Sequence, residues 1–150
     1  MIRSAIVRTA LLAGLVTASF VGAPLVNAMQ SVPAQVTAAD AAPFIGDWTL
    51  SLQGPNGPGR FDLSVKIDKE KEKVVGEIAN AQMATLPITD ISKADKTLVL
   101  RYTFTWENNP VDAAVSLTPA ADGKVAAQID FAGGAYTMTG TAAKKEAAKK

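Results

Sequence analysis

The chain of 150 residues contains no cysteine and no histidine. The first absence excludes disulfides, thiolate chemistry and soft-metal sites. The second removes the commonest general base and metal ligand. A domain without disulfides must rely on its core. Long apolar runs are missing too. The longest candidate, Thr9 to Val21, covers about a dozen residues, too few to span a bilayer. No Gly-x-Ser-x-Gly elbow occurs, so hydrolase-type nucleophilic chemistry has no visible seat.

What is present begins with an export signal. Arg3 and Arg8 precede the apolar stretch, and Val26-Asn27-Ala28 reads as a small-x-small cleavage site. Residues 1–28 are therefore read as a signal peptide. With no twin-Arg pair and no Cys after the apolar stretch, the expected destination is the bacterial periplasm or the exterior. No stable membrane span is expected after cleavage. Residues 29–43, Ala-rich with Pro33 and Pro43, are read as a flexible leader with a short helical turn near Val36 to Ala42. Residues 44–142 form the domain, and residues 143–150 a basic tail. Leaving out Arg3 and Arg8, and then Lys144, Lys145, Glu146, Lys149 and Lys150, takes 15 basic and 14 acidic residues to 9 and 13, a net of −4. An acidic body whose basic tail has no interleaved aromatics is unsuited to nucleic acid.

The domain has a period of two. Trp48, Leu50 and Leu52 share a face, as do Phe61, Leu63, Val65 and Ile67. Residues 74–79 and 86–91 follow, with Pro87 marking a strand start or an edge. Leu98, Leu100, Tyr102, Phe104 and Trp106 face one way, while Val99, Arg101, Thr103 and Thr105 face the other. Val111 to Leu117, Val125 to Phe131 and Tyr136 to Gly140 complete the set. Gly54 to Gly59 reads as a loop and Asp122-Gly123 as a hairpin turn. Links this short exclude parallel crossovers. The expected fold is all-β, an eight-stranded antiparallel up-and-down barrel, with a β-sandwich as the alternative.

Chemistry-bearing clusters are sparse. Asp47, Asp62, Asp68 and Asp130 fall on outer strand faces. Asp90, Asp95, Asp112 and Asp122 lie in or near turns, without calcium-hand spacing. Pro55 and Pro58 remove backbone donors that an anion-binding glycine loop needs. Neither catalysis nor a cofactor or metal is expected. The candidate ligand-binding residues are Trp48, Tyr102, Phe104 and Trp106, aromatic and on the inner parity. Arg101 joins them if a bulge turns it inward. A barrel of this size is filled by side chains or holds one small ligand.

Phe44-Ile45-Gly46-Asp47-Trp48 resembles the first strand of the calycin superfamily, which includes lipocalins, fatty-acid-binding proteins and avidins. That resemblance implies a lipocalin-like barrel. In lipocalins an Arg near the last strand packs on this Trp, and here the region offers Lys144 or Lys145. Phe104-Thr105-Trp106-Glu107-Asn108-Asn109 is similar to the Trp-x-Asn-Asn strand end of avidins, where the Trp stacks on biotin. The resemblance implies that Trp106 is a ligand wall. Biotin is not implied, because Leu50, Gly54 and Val111 to Val115 stand where avidins place polar partners. The expected function is an exported, non-catalytic, lipocalin-like barrel that binds a small apolar ligand. The alternative is a filled barrel that serves as an accessory module for a protein partner at the cell envelope. A cavity of about 300 Å³ or more lined by Trp48, Tyr102 and Trp106 would favour the first.

Overall fold

Alternation along the strands decides which side chains meet. The structure, a computed structural model, describes residues 36–146; the expected signal peptide and residues 147–150 lie outside that range. The strands are β1 Gly46–Gly54, β2 Gly57–Asp68, β3 Lys73–Asn80, β4 Met83–Pro87, β5 Asp90–Ala94, β6 Thr97–Trp106, β7 Asn109–Pro119, β8 Val125–Phe131 and β9 Tyr136–Lys144. All pairings are antiparallel, in one sheet of order β4-β3-β2-β1-β9-β8-β7-β6-β5. The inner parity is as the sequence predicts over the middle of the strands, whereas Ile67 and Trp106, near strand ends, are exposed. Leu50, Val65, Ile78, Leu98, Leu100, Val115, Leu117 and Ile129 are fully buried in one core. Each such side chain contributes about 1.5–3 kcal/mol through burial.

Two expectations need correction. The described residues form nine strands rather than eight, and the sheet is not closed: β4 and β5 form no ladder with each other. The stretch 86–91, expected as one strand, is the end of β4 and the start of β5. These two run in the same direction, so residues 83–94 form one segment that pairs first with β3 and then with β6. Pro87 has no N–H to extend the first ladder. At the switch, the Ile88 amide donates to the Gly76 carbonyl of β3, and the Thr89 amide donates to the Arg101 carbonyl of β6, both at 2.8 Å. The second correction concerns Gly54 to Gly59. Pairing persists to Gly54↔Gly57, leaving only Pro55 and Asn56 as the turn. Pro58 is tolerated because β3 reaches only to Phe61, so this part of β2 has a single neighbour.

The end of the expected flexible leader is ordered and docked. Ala38–Ala41 form a helical turn, α1, followed by a 3-10 turn at Ala42–Phe44. Thr37 caps the helix by accepting from the Asp40 amide at 3.2 Å. Lys93 of β5 donates to Asp40 at 2.8 Å, which, with the Thr37 hydroxyl, holds the Asp40 carboxyl below the usual carboxylate range. Val36, Ala41 and Phe44 are buried. This segment caps the end of the sheet where β1 begins and β9 stops.

The β1–β9 ladder joins the first strand to the last, over Trp48↔Lys144 to Gln53↔Thr139. Gly140 makes it possible. A Cβ there would collide with the Ser51 carbonyl and lie 2.9 Å from the Leu52 Cα. Gly140→Ala should therefore cost about 3 kcal/mol. A urea titration should show the lowered midpoint with an unchanged slope; an unchanged midpoint would contradict this close approach.

Candidate functional site

The expected site residues separate along the molecule. Trp48 lies at the capped end, 5% exposed. Its indole Nε1 donates to the Phe44 carbonyl at 2.7 Å, so the ring secures the capping turn. The Lys144 ammonium sits 5.6 Å from the centre of the Trp48 ring, a cation–π contact. Gly46 completes the arrangement. Its φ is 132°, and a Cβ would come within 2.6 Å of Lys144 Cε. Glycine is needed at that position both for backbone conformation and for space.

Tyr102, Phe104 and Trp106 follow one another along β6 toward the opposite end. Tyr102 is core, 1% exposed, whereas Trp106 is 64% exposed. Phe104 lies between them and links to a row of rings. Its centroid is 6.2 Å from Tyr102 and 5.8 Å edge-on from Phe131. Phe131 in turn lies 5.7 Å from Tyr136. The row is tightly seated against glycines on the facing strands. A Cβ on Gly54 would lie 2.8 Å from the Tyr136 hydroxyl, and one on Gly59 would lie 2.6 Å from Met138 Cε. Arg101 points outward and pairs with Asp90 at 3.2 Å; no bulge interrupts the β6 ladders that would turn it inward.

These positions do not make a shared cavity. Trp48 and Trp106 belong to opposite ends, and Tyr102 between them is enclosed by packed side chains. The main clefts of the described residues are on the rims and outer faces. One of about 380 Å³ lies outside β6 to β8, beside Arg101, Asp112 and Asp130. Its carboxylates already have partners: Thr103 donates to Asp112 at 2.7 Å and Thr137 to Asp130 at 2.6 Å. Among the described residues, no three Asp or Glu side chains gather to hold a metal, and no helix is long and apolar enough to cross a membrane. No protein-family model, curated protein or solved structure matches the chain.

Parity arguments could not reveal two features that matter here. Lys144, read as part of a basic tail, is the last residue of β9. Lys145 is fastened as well: its amide donates to the Asp47 carbonyl at 2.7 Å, and its ammonium pairs with Asp62 at 2.9 Å. That hydrogen bond is the main cause of the lowered Asp62 carboxyl pKa. The apolar Tyr136, Met138, Gly140, Ala142 alternation ends at Ala142, and the charged Lys144 that follows on the same parity hides the end of the strand.

The Tyr102 hydroxyl is buried without a hydrogen-bond partner among the described residues. Burial pushes its phenol up to about 12. Leaving such a group unpaired costs about 1–3 kcal/mol. Tyr102→Phe should therefore stabilise the protein by about 1 kcal/mol at neutral pH. The folded pKa lies above the unfolded one, so the stability tied to the neutral phenol is complete below pH 10 and is lost as pH rises toward 12. The advantage of Tyr102→Phe should accordingly widen across that interval. Urea midpoints measured from pH 7 to 11.5 give the check, and a destabilised variant would show that the hydroxyl has a partner.

Proposed function

We propose that this protein is an exported, non-catalytic, calycin-like antiparallel β domain that works as an accessory module, through its surface rather than as a container. The observation that carries this reading is the filled interior. Tyr102, Leu50, Leu63, Ile78, Leu98 and Leu100 are each under 2% exposed at the positions a ligand would need. A close-packed core has no vacancy to offer. The calycin likeness is supported by Lys144 lying over Trp48, where lipocalins use an Arg, and by a meander whose first and last strands pair. The absence of His and Cys supports a non-catalytic role.

Trp106 is the best-placed contact for a protein partner. Large exposed aromatics on a rigid strand end serve as anchors that bury well in a facing pocket. Trp106 stands at the β6–β7 hairpin beside the Phe104–Phe131–Tyr136 row. The small-ligand reading keeps one supporting observation, the unpartnered Tyr102 hydroxyl, which a polar ligand atom could satisfy after side chains of the row move aside.

The readings separate experimentally. A photo-crosslinking residue placed at position 106 in the producing cell should yield one discrete heavier adduct. The purified partner should then bind the native protein and lose about tenfold or more in affinity on Trp106→Ala, a loss of at least about 1.4 kcal/mol. Melting should be unchanged. No discrete adduct, together with a small molecule found inside the core against Tyr102 in a crystal structure, would overturn the accessory role in favour of a container.

A further inference from the structure

At the capped end a cleft of about 650 Å³ runs between the 3-10 turn and the β7–β8 turn, over the last residues of β9. Phe44, Trp48, Pro119 and Val125 give it apolar walls, and Lys124 and Lys144 are its charged residues. None of the residues lining it is a carboxylate. The cleft thus stands out on described residues 36–146, which hold 11 basic and 14 acidic side chains, a net of −3. Neither lysine takes part in an ion pair among the described residues. Lys144 is also held in place. The Trp48 ring lies on one side of it, and the missing Gly46 side chain leaves the channel its stem occupies. A lysine fixed in this way loses little further freedom on meeting an anion.

We infer that this cleft binds a small amphipathic carboxylate, its apolar body against Trp48, Phe44 and Pro119 and its carboxylate between Lys144 and Lys124. The volume falls within the range of small-molecule sites, which combine mostly apolar walls with a few convergent polar groups. The two ammonium groups supply charge-assisted hydrogen bonds to the carboxylate oxygens. The apolar walls add the affinity that two surface ammonium groups alone lack. The site is independent of the interior and of Trp106, so it stands whether or not the accessory role does.

The test uses the full chain carrying Trp106→Phe, which leaves Trp48 as its single tryptophan, since the sequence has two. Trp48 emission is followed during titration with octanoate, octan-1-ol and octylamine. Octanoate should give a saturable change, with the alcohol much weaker and the amine without effect. Lys124→Met, on an exposed turn, should weaken octanoate binding severalfold. The Lys124→Met/Lys144→Met pair should weaken it by about tenfold or more. Unchanged near-ultraviolet circular dichroism shows that the fold is kept. If Lys144→Met disturbs it, Lys124→Met alone decides. No saturable response to octanoate, equal affinity for octan-1-ol, or undiminished binding in the folded lysine variants would overturn the inference.

Discussion

The ladder between β1 and β9 is the constraint on which everything else depends. By sequence the chain makes two separate meanders, β1 to β4 and β5 to β9, each built from short hairpins. A hairpin meander of four or five strands has one apolar face and nothing to cover it. Pairing the first strand with the last brings those two faces onto one core. The approach is so close that only glycine fits at position 140. The same ladder carries Lys144 to Trp48 and Lys145 to Asp62, so the order of the capped end follows from it. Local hairpins close short loops; this joint spans nearly the whole domain and costs the most loop-closure entropy.

The second joint is lighter. Residues 83–94 leave β3 and arrive at β6 within one segment, and Ile88 and Thr89 satisfy their amides on either side. Gly76 gives room to Ile88, whose Cγ1 would lie 3.0 Å from a Cβ there. The two sheet edges are thus parts of one stretch of chain rather than long free templates for aggregation. Short edge strands of 5 residues each limit what remains exposed.

Inner and outer residues were legible in the sequence because a half-buried strand writes its geometry as alternation. Trp48, Leu50 and Leu52, or Leu98, Leu100 and Tyr102, are buried as their parity requires. The break at Pro87 was legible only as an anomaly. Whether a chain passes from one neighbour to another at such a residue depends on contacts far away in sequence. Gly54 to Gly59 misled for the opposite reason. Its glycines and prolines resemble a loop, yet Gly54 and Gly59 are strand positions kept small for Tyr136 and Met138. Composition signals a missing side chain without saying whether the space serves backbone freedom or a neighbour. The docking of Val36, Ala41 and Phe44 left no periodic trace, because one turn of helix is too short to show a period.

The two ends of the molecule consequently divide the functional possibilities. Trp48 and Trp106 share strand parity, but opposite demands act on them. Trp48 spends its indole N–H on the Phe44 carbonyl and its ring on Lys144, so it is an organiser of the capped end. Trp106 has no comparable partner among the described residues and remains 64% exposed, a cost in water that an interface would recover. With the core between them closed by packed leucines, no single ligand can touch both. The two ends offer different surfaces: an exposed aromatic ring at Trp106, and a cleft with two lysines and apolar lining beside Trp48. An aromatic pair that suggested one binding chamber instead marks two separate surfaces of a solid body.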